Sequence, residues 1–210
     1  MSITKPHLGK GEMMNTVEHY DKLIDDNNDP VRDPDILKEH MDKWDGKQFI
    51  DALELSKEKV VLEIGIGTGR IAVKTAPCCA KLYGVDISPK TIERAKENLA
   101  FTDNVDYILA DYLDYVFDTK FDVIYSSLTL LHIENKQAFF NKAFSDLKPN
   151  GKFVLSIDDD NQDNYLDMGD YKIRVYPDNP NETKEGLCKA GFVIDDVIKT
   201  EYAYIFVCKK

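Results

Sequence analysis

Two patterns alternate along this chain from residue 60 onward, and their alternation constrains the fold more than any other feature. Short runs rich in β-branched and aromatic residues indicate strands, and the longer stretches between them have the apolar spacing of helices. The runs cover residues 60–64, 81–85, 105–109, 121–125, 152–157, 192–194 and 202–207. Strands that alternate with helices form βαβ units. We therefore predict an α/β fold with a doubly wound, mostly parallel seven-stranded sheet.

The predicted helices between these runs have clear start and stop signals. Ser88 is a preferred N-cap, and Pro89 after it suits the first helical position. Further helical patterns cover 135–147 and 181–190, and the second of them ends at Gly191. The last two runs are separated by too few residues for a crossover, so we expect them to form an antiparallel hairpin at one edge of the sheet.

The first part of the chain has a different pattern. Residues 1–58 are mostly polar, with helical patterns over 12–23 and 34–55 and an Asp/Asn-rich stretch over 25–30. We interpret this segment as a helical cap that packs on the core, and residues 59–210 as the domain that carries the sheet.

Composition argues against several classes of partner. The 210 residues carry a net charge of -11, and nucleic acids and anionic membranes are bound mainly through Lys and Arg. The sequence contains no signal peptide and no membrane-spanning stretch, which favours a cytoplasmic protein. None of the four cysteines belongs to a C-x-x-C pair, so the sequence predicts no metal or redox site on cysteine.

The stretch 63–70 contains the most informative motif in the sequence. Gly65, Gly67 and Gly69 lie between a predicted strand and a predicted helix, where glycine permits a tight turn and close approach of a ligand to the backbone. Asp86 ends the next predicted strand, about twenty residues later, where an acid can accept hydrogen bonds from ribose hydroxyls. Together they predict a cofactor that contains adenosine.

The third glycine, Gly69, comes one residue earlier than in the dinucleotide pattern G-x-G-x-x-G. The acid followed by G-x-G-x-G resembles the first motif of the class I S-adenosylmethionine-dependent methyltransferases. Later segments resemble further motifs of that family in the same order, so the resemblance covers most of the chain after Glu58. These segments are 84–88, 110–112, 121–133 and 147–153.

The resemblance implies a Rossmann-like fold, S-adenosylmethionine as the cofactor and methyl transfer to a small-molecule nucleophile as the activity. The acid of the first motif, Glu63, then lies near the methionine amine, although it could instead stabilise the loop internally. Asp111 lies near adenine or caps the next helix. The resemblance assigns the cofactor site to Glu63, Gly65, Gly67, Gly69, Asp86, Ile87, Asp111, Tyr112, Ser127 and Tyr20.

His132 is the candidate general base. It follows the fourth predicted strand of the α/β domain, at the edge of the sheet where ligands bind, and an imidazole with an ordinary pKa of about 6.5 can take a proton near neutrality. The alternative is that His132 caps the next helix or packs under the cap. In-line methyl transfer needs a base only when the nucleophile loses a proton.

A long segment, 158–180, separates the strand at 152–157 from the last predicted helix. Four large side chains in it could line an acceptor pocket or pack the insertion against the core. These are Tyr165, Met168, Tyr171 and Tyr176. The acids from Asp158 to Asp160, with Asn161 and Asp163, match no calcium-loop spacing, so we predict a solvated loop and no metal site.

The acceptor is predicted to be a small molecule. Enzymes that methylate nucleobase amines carry Asn-Pro-Pro-Tyr or a near variant after the fourth strand, whereas this chain has Ser-Ser-Leu-Thr at 126–129. Two alternatives stay open: a non-catalytic S-adenosylmethionine-binding module, and an NAD-dependent oxidoreductase, which the position of Gly69 disfavours. The sequence carries no signal for the oligomeric state or for the identity of the acceptor.

Overall fold

The structure is a computed structural model that describes residues 11–159 and 163–210. The helices are Thr16–Asp25 (α1), Asp35–Met41 (α2), Gly46–Ala52 (α3), Ala72–Thr75 (α4), Pro89–Asn98 (α5), Lys136–Asp146 (α6) and Pro180–Ala190 (α7), with short 3₁₀ helices at Ala76–Cys78 and Leu130–His132. The strands are Glu12–Met14 (β1), Val60–Ile64 (β2), Lys81–Asp86 (β3), Val105–Leu109 (β4), Phe121–Ser127 (β5), Leu147–Asp158 (β6), Tyr165–Asp167 (β7), Tyr171–Arg174 (β8), Val193–Lys199 (β9) and Ala203–Lys209 (β10).

Seven of these strands form the main sheet, in the order β4-β3-β2-β5-β6-β10-β9. Neighbouring strands are parallel from β4 to β6, and β10 is antiparallel to both β6 and β9. The predicted fold, with its antiparallel hairpin at one edge, is therefore confirmed. The chain runs from β2 to β3 on one side and returns to β5 on the other. This reversal opens a crevice at the carboxyl ends of β2 and β5, where ligands bind in sheets of this type.

Side chains of the main sheet pack on both of its faces. Along β5, Ile124 belongs to one buried cluster, whereas Val123 and Tyr125 belong to the other, because successive residues of a strand point to opposite faces. Phe139 of α6 covers the first face, and Phe49 of α3 covers the second. Both rings are 0% exposed, and burial of such a side chain stabilises the fold by about 1.5–3 kcal/mol.

The prediction of a helix over 12–23 was wrong for its first residues. It begins at Thr16, because Asn15 and Glu18 form a capping box that accepts the first free backbone N–H groups. Glu12–Met14 instead forms β1, which pairs in parallel with β8, and β7 pairs with the other edge of β8. The segment predicted as a long insertion thus joins the N-terminal region in a small three-stranded sheet.

The helical pattern predicted over 34–55 is interrupted. Asp45 is the N-cap of α3, and Gly46 after it has φ = +53°, in the left-handed region that favours glycine. The break turns the Asp45 side chain inward, where it is 1% exposed.

Candidate active site

A cavity of about 350 Å³ lies at the carboxyl ends of β2, β3 and β5, and its volume is in the range of small-molecule sites, about 300–1,000 Å³. Of the eleven site residues predicted from the sequence, all but Gly69 line this cavity. The ten are Tyr20, Glu63, Gly65, Gly67, Asp86, Ile87, Asp111, Tyr112, Ser127 and His132. The fold therefore brings together residues that are more than a hundred positions apart in the sequence.

The glycine loop adopts a shape that other residues would disturb. Gly65 has φ = +77°, and a Cβ atom there would lie 2.2 Å from Oγ1 of Thr129. Its backbone N–H donates to the carbonyl of Val85 on the neighbouring strand at 2.9 Å. Gly69 has φ = +91° and lies 3.1 Å, measured from an ideal Cβ, from the side chain of Leu99. Gly69 thus shapes the loop against the end of α5 and does not line the cavity.

Asp86 is held in place by the loop and by the start of α5. Its Oδ2 accepts from the backbone N–H of Gly67 at 2.8 Å. Its Oδ1 accepts from the backbone N–H of Ser88 at 2.9 Å and from the Thr91 hydroxyl at 3.2 Å. Burial raises the pKa of Asp86, and these hydrogen bonds oppose the rise. The carboxyl group is therefore fixed in position at the cavity wall.

Glu63 is a buried acid in the same cavity, only 3% exposed. Its Oε2 accepts from the Tyr125 hydroxyl at 2.9 Å, and that hydroxyl also bonds Oγ1 of Thr75 at 2.7 Å. Across residues 11–159 and 163–210, no Lys or Arg forms an ion pair with Glu63. Burial raises the pKa of Glu63 from its ordinary 4.5 to about 8. A buried carboxyl without a cation can receive the ammonium group of a ligand.

Arg70 also lines the cavity, and its guanidinium is bound by Asp45 from the N-terminal segment. Nη1 donates to Oδ1 of Asp45 at 2.9 Å, and Nη2 donates to Oδ2 at 2.5 Å. The Ser127 hydroxyl donates to the same Oδ2 at 2.5 Å. Burial opposes ionisation of Asp45, but hydrogen bonds from Arg70, Ser127 and Gly46 outweigh burial and lower its pKa. The sequence predicts no role for either partner of this ion pair.

Tyr20 and His132 face each other at the cavity wall. The Tyr20 hydroxyl lies 2.8 Å from Nε2 of His132, and Nδ1 of His132 is buried without a hydrogen-bond partner among the described residues. Burial lowers the pKa of His132 to about 4 and raises that of Tyr20, so both groups are uncharged at neutral pH. His132 thus packs under the N-terminal segment, one of the alternatives that the sequence left open, and still lines the cavity.

Residues 62–155 match a family described as the methyltransferase domain. This stretch, a little under half of the chain, is similar to the class I S-adenosylmethionine-dependent methyltransferases that its motifs resemble. Malonyl-[acyl-carrier protein] O-methyltransferase 1 of Ilyobacter polytropus is 33% identical over an alignment of 117 positions, and the alignment covers 52% of this chain and 44% of that protein. Phosphoethanolamine N-methyltransferase 3 of Arabidopsis thaliana is 34% identical over 113 residues, 52% of this chain and 23% of that protein. The chain therefore spans less than half the length of these relatives.

Among solved structures, the N-methyltransferase NodS from Bradyrhizobium japonicum, in complex with S-adenosylhomocysteine, has a TM-score of 0.68 with this chain. The two are 16% identical, and the similarity covers 94% of this chain and 99% of NodS. At this identity the similarity shows the shared methyltransferase fold.

Helix α1 connects three parts of the molecule through successive residues. Nδ1 of His19 lies 3.0 Å from the Tyr171 hydroxyl on β8, and Tyr20 contacts His132 as described above. Oδ1 of Asp21 accepts from the Ser88 hydroxyl at 2.7 Å, next to Asp86. The helix therefore links the small sheet, the cavity wall and the start of α5.

Two of the predicted site residues also form hydrogen bonds within the fold. Oδ1 of Asp111 accepts from the backbone N–H of Leu113 at 2.8 Å, which stabilises a local turn. The Tyr112 hydroxyl donates to Oδ2 of Asp146 at 3.3 Å. The ring of Tyr112 is 4% exposed and therefore contributes packing at the base of the cavity.

The large side chains of the insertion are not part of the cavity wall. Tyr165, Met168, Tyr171 and Tyr176 do not line it. Tyr171 packs with Met14 and Ile173 in a small separate cluster, so the structure favours the packing alternative for this residue.

Asp160 and Asn161 lie outside the described residues. Within the described ranges, no group of three or more His, Cys, Asp or Glu side chains is arranged to hold a metal ion. None of the helices in these ranges has the length and apolar composition needed to cross a membrane.

Proposed function

We propose that this chain binds S-adenosylmethionine in the cavity and transfers its methyl group to a small-molecule nucleophile. The observation that carries the proposal is the placement of Glu63 and Asp86 in one cavity, on either side of the glycine loop. Glu63 has no protein cation among the described residues and suits the methionine ammonium group. Asp86 suits the ribose hydroxyls, since each carboxylate oxygen can accept more than one hydrogen bond.

The other lining residues fit the remaining parts of the cofactor. Ile87 follows Asp86 and offers an apolar contact for adenine, and Asp111 offers a carboxylate to the adenine amine. Gly65 and Gly67 leave the loop backbone open to close approach. The donor set therefore suits a ligand with an ammonium group at one end and an adenosine at the other.

When bound, the cofactor supplies a methyl group on a sulfonium, which a nucleophile attacks in line with the departing sulfur. The protein contributes alignment and exclusion of water, which can lower such a barrier by about 7–11 kcal/mol. Leu23, Ile24 and Met41 of the N-terminal segment line the cavity and provide an apolar cover. Of the cap predicted over residues 1–58, residues 1–10 lie outside the described residues, and we assign the role of a cap to residues 11–58.

His132 and Tyr20 are the proposed acid–base pair. Both line the cavity, and 2.8 Å separates the Tyr20 hydroxyl from Nε2 of His132. A proton lost by the acceptor can reach the imidazole through the Tyr20 hydroxyl, which accepts from the acceptor as it donates to Nε2. A pKa of about 4 makes His132 a weak base, which suffices for a nucleophile that becomes acidic as its new bond forms.

A small-molecule acceptor is supported by the mostly apolar lining of the cavity. The relatives named above act on oxygen and on nitrogen, so the family resemblance leaves the methylated atom open. The competing function is a binding module that holds the cofactor without transferring its methyl group. Radiolabelled methyl transfer from S-adenosylmethionine to a panel of small alcohols, phenols and amines separates the two, since a binding module labels none of them.

Thermal unfolding with S-adenosylhomocysteine tests the cofactor. At about 100 times its dissociation constant the ligand should stabilise the folded state by about 2.7 kcal/mol, which raises the midpoint by roughly 5–11 °C for a chain of this size. NAD at the same concentration serves as the control. A shift with NAD alone would contradict the proposal and favour the oxidoreductase.

We expect S-adenosylhomocysteine binding at pH 7 to release about one proton. Glu63, with a pKa of about 8, is protonated in the free protein and ionises beside the ligand ammonium group. The affinity should therefore rise by up to about tenfold per pH unit between pH 6 and 8. Calorimetry in two buffers with different ionisation enthalpies measures the released proton.

In the ligand-free protein, Glu63 has the opposite dependence on pH, because a higher pH lowers stability where it raises affinity. Folded Glu63 keeps a proton that the unfolded chain loses above its ordinary pKa of 4.5, so the contribution of Glu63 to stability falls as the pH rises from 4.5 to about 8. Glu63→Gln is the control, because the amide cannot titrate. Proton release that persists in Glu63→Gln would show that another group is responsible.

A further inference from the structure

Two buried acids lie within the electrostatic reach of one arginine. Arg70 has a side chain 17% exposed and lines the same cavity as Glu63. Burial lowers the pKa of Arg70, but the hydrogen bonds and the charge of Asp45 outweigh burial and raise it. Only Asp45 forms hydrogen bonds with it in the described part of the chain. We propose that Asp45 is a positioning residue that holds the Arg70 guanidinium away from Glu63, so that Glu63 stays open to the ammonium group of the cofactor. This inference rests on the proposed function.

The Asp45 carboxylate is oriented by groups other than Arg70. The backbone N–H of Gly46 donates to Oδ1 at 2.7 Å, and the Ser127 hydroxyl donates to Oδ2 at 2.5 Å. The backbone on the other side is anchored as well, since the Thr200 hydroxyl donates to the carbonyl of Trp44 at 2.9 Å. Because two hydrogen bonds aim the carboxylate and a third anchors the preceding backbone, Asp45 can fix the guanidinium in one direction.

Removal of the Asp45 charge would leave a buried cation without a partner, which is strongly unfavourable. Glu63 is a buried acid in the same cavity, so we expect a guanidinium that Asp45 no longer holds to turn toward Glu63 and to favour its ionised form. A Glu63 carboxylate paired with Arg70 no longer offers an empty place to an ammonium group. The loss of affinity should therefore be confined to ligands that carry the amino-acid end of the cofactor.

Two ligands separate this effect from a general loss of structure. S-adenosylhomocysteine has the amino-acid end, and 5′-methylthioadenosine is a thioether of the same adenosine without it. Calorimetry gives the Kd of both for wild type, Asp45→Asn and the double variant Asp45→Asn/Arg70→Met. Asp51→Asn is the matched control, because Asp51 is an exposed acid on α3 that pairs with Lys47 at 2.5 Å.

In Asp45→Asn we expect the affinity for S-adenosylhomocysteine to fall about tenfold or more, with that for 5′-methylthioadenosine changed by less than about twofold. The double variant should recover most of the lost affinity, because the competing cation is gone. Asp51→Asn should bind both ligands like the wild type.

Equal losses for the two ligands in Asp45→Asn would overturn the inference, since they would show that Asp45 only supports the fold. The double variant tests the inference even when Asp45→Asn does not fold. If the double variant binds 5′-methylthioadenosine normally but no longer binds S-adenosylhomocysteine, Arg70 or Asp45 itself binds the amino-acid end, and the inference is wrong. A wild type that binds neither ligand contradicts the proposed function and this inference together, whereas a wild type that binds both leaves the proposed function standing whatever the variants do.

Discussion

Asp86→Ala is expected to weaken S-adenosylhomocysteine binding by about 10²–10⁴-fold. Two hydrogen bonds from ribose hydroxyls to this carboxylate are lost, and hydrogen bonds to charged groups contribute about 1.5–3 kcal/mol each. The substitution also frees the backbone N–H of Gly67, which donates to Oδ2 at 2.8 Å, so the glycine loop loses a support. Titration calorimetry at fixed pH measures the change in Kd.

Two variants define how specific this effect is. Asp86→Asn keeps the shape and one acceptor oxygen, so it should lose less affinity than Asp86→Ala. Asp106→Ala removes an exposed acid of β4 that pairs with Lys81 at 2.6 Å and should leave binding unchanged. Binding by Asp86→Ala within about threefold of the wild type would place the ribose elsewhere and contradict the proposed cofactor orientation.

Gly65→Ala is expected to lower the free energy of unfolding by about 2–5 kcal/mol, because overpacking and a left-handed backbone act together. An added Cβ would lie 2.2 Å from Oγ1 and 2.8 Å from Cγ2 of Thr129, at φ = +77°. The loop must move to relieve these overlaps, so S-adenosylhomocysteine binding should be lost as well. Urea unfolding of the ligand-free protein measures the stability change.

Gly67→Ala separates the two causes. Gly67 has φ = +54°, but no atom lies within 4 Å of the position that its Cβ would take. Gly67→Ala should therefore lower the free energy of unfolding only by the backbone strain, about 1–2 kcal/mol. Gly65→Ala/Thr129→Ala should be more stable than Gly65→Ala alone, because Oγ1 and Cγ2 of Thr129 are gone. Equal costs for the two glycine variants would contradict the overlap with Thr129.

The sequence by itself determined the sheet and the place of the cavity. Alternating runs with distinct periods predicted seven strands and the final hairpin, because each period follows from local backbone geometry. The glycine loop and Asp86 could be predicted for the same reason. Each belongs to a short motif at the carboxyl end of a strand, and neighbouring parallel strands bring those ends together. Their roles in cofactor binding stay predictions, although the fold gathers them around one cavity.

Only the tertiary structure decided which partners the N-terminal residues find. Asp45 reaches Arg70 and Ser127, 25 and 82 positions away, and Tyr20 reaches His132 across 112 positions. Glu12–Met14 forms a strand because it pairs with the edge of β8. The apolar spacing over 12–23, which is that of a helix, contains no information about this pairing. Single long-range pairs such as these produce no periodic pattern in the sequence. Each pair depends on one side chain and on the position that the packed elements give to its partner.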